Sequence, residues 1–213
     1  MDAFMDFLDY FSGVWVELLG MTVEHIGMVL LGVGLALVIG IPLGILCTKS
    51  NAMETIIISI ANLIQVIPSL ALLAMLMLIF GLGFNTVVIG LFLYSLLPII
   101  RNTAVGLKEV EKEAVEAGRG VGMTAFQLLM KVKFPLSLPF MLAGIRIAVI
   151  IAVSVATLAP FVGGEGLGRE IVAGINVRDS NKIFAGAIFA AALAILVDYL
   201  LGLLQKKLEV DKK

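Results

Sequence analysis

Long stretches without charge constrain the fold of this chain more than any other feature. Residues 26–48 contain no Asp, Glu, Lys or Arg, and residues 147–164 contain none either. A chain of 213 residues cannot bury all such stretches in one soluble core, so lipid is the natural solvent for them. In lipid the backbone must satisfy its own hydrogen bonds, as helices or closed barrels do. Because these stretches far exceed the ~10-residue strands of a membrane barrel, we expect an all-α polytopic membrane protein.

The composition supports this fold class and excludes others. Hydrophobic residues make up 61% of the chain and charged residues 15%, whereas soluble domains usually carry about a quarter charged residues. The net charge of −1 argues against a nucleic-acid partner, which would need a concentrated basic surface. The single cysteine, Cys47, excludes an intrachain disulfide and a multi-cysteine metal site. We expect Cys47 to pack at a helix end, and we expect no metal site.

Residues 1–22 have the pattern of an amphipathic helix. One face carries Phe4, Phe7, Leu8, Phe11, Trp15 and Leu18, and the other carries Asp2, Asp6, Asp9, Gly13 and Glu17. Such a helix suits the membrane interface, although packing against a neighbouring subunit fits equally well. A cleavable signal peptide is not expected, because residues 1–20 lack the positive charge that its start requires.

Five apolar stretches are long enough to span a bilayer as helices. They are residues 23–47, 54–80, 86–104, 138–160 and 183–204. As a straight helix, the second stretch would be longer than the ~30 Å thickness of the hydrocarbon core. It carries Pro68 at its middle, which predicts one kinked or partly broken span. In the first span, close helix contacts and a local bend are expected at Gly32, Gly34, Gly40, Pro42 and Gly44.

The distribution of Lys and Arg predicts the orientation. Three of these residues lie in the loop 161–182, and none lies in the N-terminal segment or the turn 81–85. The opposite side carries eleven: Lys49, Arg101, Lys108, Lys112, Arg119, Lys131, Lys133, Lys206, Lys207, Lys212 and Lys213. The bias predicts five spans, with the N-terminus outside and the C-terminus in the cytoplasm. Dividing the second stretch into two spans would place most of these charges outside and would give pieces of about 13 residues, too short to cross.

The polar segment 101–137 between the third and fourth spans is the most informative part of the chain. Residues 108–120 predict a short polar helix, which Gly118, Gly120 and Gly122 interrupt. Thr124 and Gln127 form a capping-box pattern that predicts a second helix, ending before Pro135, and Pro139 is expected to begin the next span. The segment is either an ordinary linker with surface helices or a docking element for a cytoplasmic partner.

The same segment resembles the cytoplasmic "EAA" loop of binding-protein-dependent ABC importer permeases. That loop has Glu-Ala-Ala, three residues, Gly, nine residues, then Ile, any residue and Leu-Pro. Glu116, Ala117, Gly122 and Pro135 match outright, whereas Gly118, Val132 and Phe134 replace Ala, Ile and Leu. The resemblance implies that residues 105–135 form a coupling loop in which Glu116, Ala117, Gly118, Gly122, Thr124 and Pro135 contribute to docking on an ATPase.

Further stretches resemble the compatible-solute branch of this family, which imports glycine betaine, carnitine and choline. They are Val66–Leu72, Leu97–Thr103, Ala143–Arg146 and Val162–Gly168. The resemblance implies that residues 1–213 form a single transmembrane domain, with a core at 23–207, in the bacterial plasma membrane. It also implies two copies of an ATPase that binds ATP and Mg, a second permease in a homo- or heterodimer, and an external solute-binding protein. The chain itself lacks a Gly-x-x-x-x-Gly-Lys-Ser/Thr phosphate loop, so ATP is expected on a separate chain.

Polar residues inside the spans are candidates for a substrate path, because they are costly when they face lipid. Ser59, Asn62, Gln65 and Ser69 lie at helical spacings in the second span. The candidate path residues are Asn62, Gln65, Ser69, Tyr94, Ser154 and Thr157. Hydrogen bonding between helices is the alternative role for each of them.

Three ionisable residues in the spans have simpler interpretations. Arg146 is expected near the cytoplasmic side, where Asp198 is a possible ion-pair partner. His25 is expected at the outer interface rather than in a proton relay.

Three other function classes fit the sequence less well. An amino-acid importer of the same family shares several of the motifs. An ion-coupled secondary transporter should show mid-membrane carboxylates and an internal repeat, and neither is visible here. An intramembrane enzyme would need a nucleophile–base pair or a metal cluster, and we therefore expect a transport subunit rather than an enzyme.

Overall fold

The computed structural model describes the backbone of residues 2–210 and the side chains of residues 4–208, and this part of the chain is entirely helical apart from its turns. The predicted domain limits of 1–213, and Lys212 and Lys213, extend beyond the described residues. The α-helices in chain order are α1 (Asp2–Cys47), α2 (Asn51–Val66), α3 (Ser69–Phe80), α4 (Phe84–Lys108), α5 (Lys112–Gly120), α6 (Ala125–Leu128), α7 (Phe134–Ala156), α8 (Gly168–Val177) and α9 (Ser180–Val210).

Helix α1 is one continuous helix of 46 residues. The prediction of a separate helix at 1–22 is therefore wrong. Leu18 and Met21 are buried, and the Tyr10 hydroxyl donates a hydrogen bond to Glu170 at the start of α8. Because residues 18–25 contain no proline and pack against other helices, the chain has no physical reason to end the helix there.

The second predicted span is broken at Pro68, as expected. Helices α2 and α3 meet at an angle of 97°. Proline has no N–H and keeps the residue before it extended, and Ile67 has φ −66° and ψ 127°. Pro68 directly precedes α3. The N–H of Leu72, in the first turn of α3, donates a hydrogen bond to the Pro68 carbonyl at 2.9 Å.

Helices α1 and α4 pack in parallel through glycines. A Cβ atom at Gly32 would lie 2.6 Å from Leu91, and one at Gly44 would lie 2.5 Å from Thr103. Since contacts advance in the same direction along both helices, α1 and α4 run the same way through the bundle. The predicted glycine contacts of the first span are confirmed at Gly32, Gly40 and Gly44, whereas Gly34 has no neighbour within 4 Å of a Cβ position.

The bundle has two ends, which we call the Lys49 end and the Gly163 end. At the Lys49 end, a cleft brings Lys49 beside Lys133, which directly precedes α7. At the Gly163 end, the Gly83 N–H donates to the Val162 carbonyl at 2.8 Å, beyond the far end of α7. The turn between α3 and α4 is therefore at the opposite end of the bundle from Lys49.

Three predicted helix boundaries are wrong. The third span continues to Lys108, so the polar helix after it begins at Lys112 rather than Lys108. The helix that begins after Thr124 does not end before Pro135. It continues through a π-helical turn, Leu129–Lys133, into α7, so Pro139 lies inside α7 and does not begin the span as predicted. Pro135 directly follows this turn, where the Phe134 N–H donates to the Leu129 carbonyl five residues back, so the α-helical bonding pattern is already interrupted where proline lacks its N–H.

The three ionisable residues in the spans and Cys47 have different outcomes. His25 is fully buried rather than interfacial, and its Nε2 atom lies 3.1 Å from the Val153 carbonyl oxygen. Arg146 pairs with Asp198, as anticipated, and its second contact with this carboxylate is 2.6 Å long. Cys47 is buried at the end of α1, as predicted.

Candidate translocation path and coupling element

Two of the predicted path residues, Gln65 and Tyr94, meet at the break between α2 and α3. The Gln65 amide donates to the Tyr94 carbonyl at 3.1 Å. The Tyr94 hydroxyl donates to the carbonyl of Ile67, the residue before Pro68. The first bond connects α4 to the end of α2, and the second connects α4 to the non-helical break, where it pairs the carbonyl of Ile67.

Closer to the Lys49 end, two polar contacts join α2 to α4. The Arg101 guanidinium donates to Asn62 at 3.4 Å, and Lys108 forms a salt bridge with Glu54 at 2.5 Å. The sequence pattern identified Asn62 but gave Arg101 and Glu54 no role in the path. Their positions at the ends of predicted spans were the available signal, since only the packing of α2 on α4 brings them together.

Two clefts follow this line of polar residues. One has a volume of about 450 Å³ and lies between α2 and α4, where Glu54, Ser59 and Arg101 contribute to its wall. The other has a volume of about 190 Å³ and is lined by Gln65, Leu97, Pro98, Arg101, Asn102, Ile147 and Ile151. Because Arg101 lines both clefts, they form neighbouring parts of one polar groove on the surface of the chain.

The other predicted path residues lie apart from the Gln65–Tyr94 contact. Ser69 lies beyond the 97° break, so it does not continue the stripe of Asn62 and Gln65. The hydroxyls of Ser154 and Thr157 donate to carbonyls of their own helix, those of Ile150 and Ser154. Ser154 is nevertheless exposed and follows Ile147 and Ile151 along one face of α7, at the spacing of successive helical turns.

The predicted coupling segment is a compact pair of helices at the Lys49 end. Gly118 in α5 is buried, and a Cβ atom there would lie 2.7 Å from Leu128 of α6. The turn between the helices requires φ +80° at Gly122, which glycine adopts at little cost. Thr124 and Gln127 form the predicted capping box at the start of α6, with bonds of 3.3 and 2.9 Å.

The outer surface of this helix pair is free within the described chain. Glu116, Ala117 and Pro135 are exposed, and so are two large apolar residues near the turn, Val121 at 76% and Phe126 at 71%. Exposed apolar side chains beside charged ones are typical of a surface that docks on a partner. Among the described residues, no group of three or more His, Cys, Asp or Glu residues is placed to hold a metal ion.

A scan of known families matches residues 40–210 to the binding-protein-dependent transport system inner membrane component. The chain belongs to this family. The match includes the clefts, the coupling segment and every predicted site residue. The chain is therefore a membrane permease subunit of an ATP-driven importer and not itself an enzyme, and a separate ATPase subunit hydrolyses the ATP.

Curated members of the family are similar over nearly the whole chain. The carnitine transport permease protein OpuCD of Listeria monocytogenes is 44% identical over 213 residues, which is 100% of this chain and 96% of that protein. The glycine betaine/carnitine/choline transport system permease protein OpuCD of Bacillus subtilis is 45% identical over 191 residues, covering 89% of this chain and 83% of that protein.

The fold also matches a chain of a solved ABC transporter. An inward-facing structure of the MetNI methionine ABC transporter superposes with a TM-score of 0.77 and 22% identity, over 92% of this chain and 94% of that one. The likeness establishes the permease fold. Family membership implies an ATPase, a substrate-binding protein and a second permease as partners, with ATP and Mg acting through the ATPase.

Proposed function

We propose that this permease carries quaternary ammonium compatible solutes, of the glycine betaine, carnitine and choline class. The observation that carries the proposal is 44–45% identity with permeases named for these solutes, over 89–100% of this chain. Within the described part of the chain, the ring–ring contacts are tilted Phe–Phe pairs near the start of α1, away from the groove. Cations of this class are best held by aromatic faces. Tight recognition therefore belongs to the solute-binding protein, and the permease provides a weakly binding passage.

The proposed topology has five spans in a bacterial plasma membrane, with the N-terminus outside. The parallel packing of α1 and α4 supports it, because two successive spans with the same direction require a crossing between them. Helices α2 and α3 together supply that crossing, which the contact of Gly83 with Val162 at the other end also supports. The Lys49 end is then cytoplasmic, in agreement with the excess of Lys and Arg there.

The proposed path follows the groove between α2, α4 and α7. Asn62, Gln65 and Tyr94 border it from the predicted set, Arg101 joins them from the structure, and Ser154 extends it along α7. Ser69 and Thr157 are weaker candidates for the path. Ser69 lies after the break, and the Thr157 hydroxyl donates to a carbonyl of its own helix. A second permease, either an identical chain or a related one, would close the exposed side of the groove.

The proposed coupling element comprises α5, α6 and the turn between them, within residues 105–135. Glu116 lies on the exposed side of α5, and buried Gly118 holds α5 against α6, so the pair moves as one body. Two ATPase copies would dock on two such elements, one from each permease. Closure of the ATPases on ATP would then move α4 and α7, which are continuous or nearly continuous with the element.

The experiment is to purify the complex through this subunit and measure ATP hydrolysis with betaine-loaded binding protein. Glu116→Lys places a positive charge at the docking surface, and mismatched charge at an interface costs several kcal/mol. We expect stimulated hydrolysis to fall at least about tenfold, with less ATPase co-purifying. Glu24→Lys makes the same charge reversal at an exposed residue near the other end of the bundle. It should leave the stimulated hydrolysis and the amount of co-purifying ATPase unchanged.

Two outcomes would contradict the proposal at different points. If no ATPase co-purifies with the stable wild-type subunit, the coupling element is wrong. If the ATPase binds but only amino-acid-loaded binding protein stimulates hydrolysis, the importer assignment stands and the solute class is wrong.

A further inference from the structure

A basic cleft at the Lys49 end lies apart from the path, and it shares Phe126 but not Val121 with the docking surface. Its volume is about 410 Å³, and it lies between the end of α1 and the helix pair α5–α6. Lys49, Arg119 and Lys133 line it together with the apolar side chains of Ile45, Phe126 and Leu129. None of its lining residues is acidic, so three positive charges converge on one concave surface.

The three cations are available to a ligand. In the part of the chain that the structure describes, salt bridges form at Lys108, Arg146 and Arg169, and Lys49, Arg119 and Lys133 take part in none. Lys49 and Arg119 are exposed, and Lys133 is half-buried. Holding three like charges together without counter-ions is unfavourable, and an anion in the cleft would remove that repulsion.

The cleft also lies where two helices change from polar to apolar sequence. The uncharged stretch 26–48 ends directly before Lys49, and another uncharged stretch, 134–145, begins directly after Lys133. Both boundaries mark the level at which lipid headgroups meet the hydrocarbon. Because the two boundaries border the same cleft, its cations lie at headgroup depth and its apolar wall faces acyl chains.

We propose that this cleft binds the phosphate headgroup of an anionic phospholipid. Basic pockets beside transmembrane helices are suited to such headgroups, and each Lys or Arg near the surface adds attraction. A lipid fits better than a carboxylate from a protein partner, since Ile45 and Leu129 give the cleft an apolar wall at the membrane surface. A phosphate here would contact the end of α1 through Lys49 and the coupling element through Arg119, so the bound lipid would connect the two.

The test is to titrate the full chain, purified in detergent, with phosphatidylglycerol and to count bound lipids by native mass spectrometry. Lys49→Gln/Lys133→Gln removes two of the three cations, and the apparent dissociation constant should rise roughly 20- to 30-fold, or about fivefold for each cation. Phosphatidylcholine, which has no net charge, should bind the wild type weakly, and inorganic phosphate should not displace phosphatidylglycerol.

Matched variants separate the cleft from general charge effects. Lys131→Gln/Lys206→Gln removes the same amount of charge, but neither residue lines the cleft. The affinity of this variant for phosphatidylglycerol should therefore stay at the wild-type value. Lys49→Arg/Lys133→Arg keeps the charges and should retain binding, which separates loss of charge from loss of fold. The lipid measurement needs no ATPase. The lipid proposal can therefore fail while the importer proposal stands, and the importer proposal can fail while the lipid proposal stands.

Four results would overturn the inference. They are an unchanged affinity in Lys49→Gln/Lys133→Gln, an equal loss in Lys131→Gln/Lys206→Gln, equal binding of phosphatidylcholine, and displacement by inorganic phosphate. If Lys49→Gln/Lys133→Gln instead keeps its lipid and loses a co-purifying ATPase, the cleft belongs to the protein interface.

Discussion

At the scale of single residues, the pair of Arg146 and Asp198 shows how this chain keeps ions within apolar helices. The guanidinium makes two contacts with the carboxylate, one of them 2.6 Å long, so both charged groups share a planar, two-point arrangement. Gly202, one turn beyond Asp198, leaves room for the guanidinium, which lies 3.3 Å from the position that a Cβ atom would occupy. The pair joins α7 to α9.

Removing one member of this pair is expected to cost more than removing both. Arg146→Leu leaves the Asp198 carboxylate without its partner in an apolar surrounding, whereas Arg146→Leu/Asp198→Leu leaves no ion there. We expect the single variant to melt several degrees lower than wild type in detergent, and the double variant to recover most of that loss. Thermal unfolding of the purified chain, followed by far-ultraviolet circular dichroism, measures the melting temperatures of the two variants.

The residue pairs also show what the sequence could predict. The Thr124–Gln127 capping box depends on residues three apart, so its pattern was sufficient. The contact between Arg101 and Asn62 joins residues 39 apart, and only the packing of α2 on α4 creates it. His25 looked interfacial because it begins an apolar stretch, but residues from α7 and the loop 163–168 cover it.

At the scale of elements, glycines determine how closely α1 approaches α4. Gly32, Gly40 and Gly44 all face α4, and a Cβ atom at Gly44 would lie 2.9 Å from the Ile100 carbonyl oxygen as well as close to Thr103. The backbone atoms of the two helices are therefore nearly in contact. Such close packing is a main source of helix association in lipid, where apolar burial offers little.

Gly44→Ala is expected to destabilise the bundle by about 1–3 kcal/mol, because the added methyl must move the backbone of α4. Gly34→Ala is the matched control, since it adds the same methyl to the same helix where no atom lies within 4 Å. Unfolding in mixed detergent measures both variants against wild type. Equal effects of the two substitutions would show that helix propensity, and not the contact with α4, controls the result.

The elements themselves were predicted unevenly. The long apolar helices and the break at Pro68 could be predicted because apolar length and proline act locally. Helix α8, Gly168–Val177, was not predicted, because the segment 161–182 is short and polar and its helix is held by packing on α9. The continuity of α1 was also missed, since an amphipathic pattern cannot show whether a helix ends or continues.

At the scale of the whole molecule, the directions of the helices determine which loops share a side of the membrane. Helices α1 and α4 run in parallel, and Gly144 of α7 packs against Pro98 and Asn102 of α4. A re-entrant α2–α3 pair would return the chain to the side from which it started. That arrangement would require α1 and α4 to run in opposite directions, so their parallel glycine contacts support the proposed crossing by α2 and α3.

The topology predicts opposite labelling of two exposed loop positions. In a Cys47→Ala background, Leu82→Cys at the Gly163 end should react with a membrane-impermeant maleimide in intact cells, because Leu82 is 74% exposed in the turn between α3 and α4. Val121→Cys, at 76% exposure in the coupling element, should react only after the membrane is permeabilised. Reaction of Val121→Cys in intact cells, with Leu82→Cys protected, would place the coupling element outside, where it could meet no ATPase. Labelling of both positions from the same side would instead require that α4, which lies between Leu82 and Val121, fails to cross the membrane.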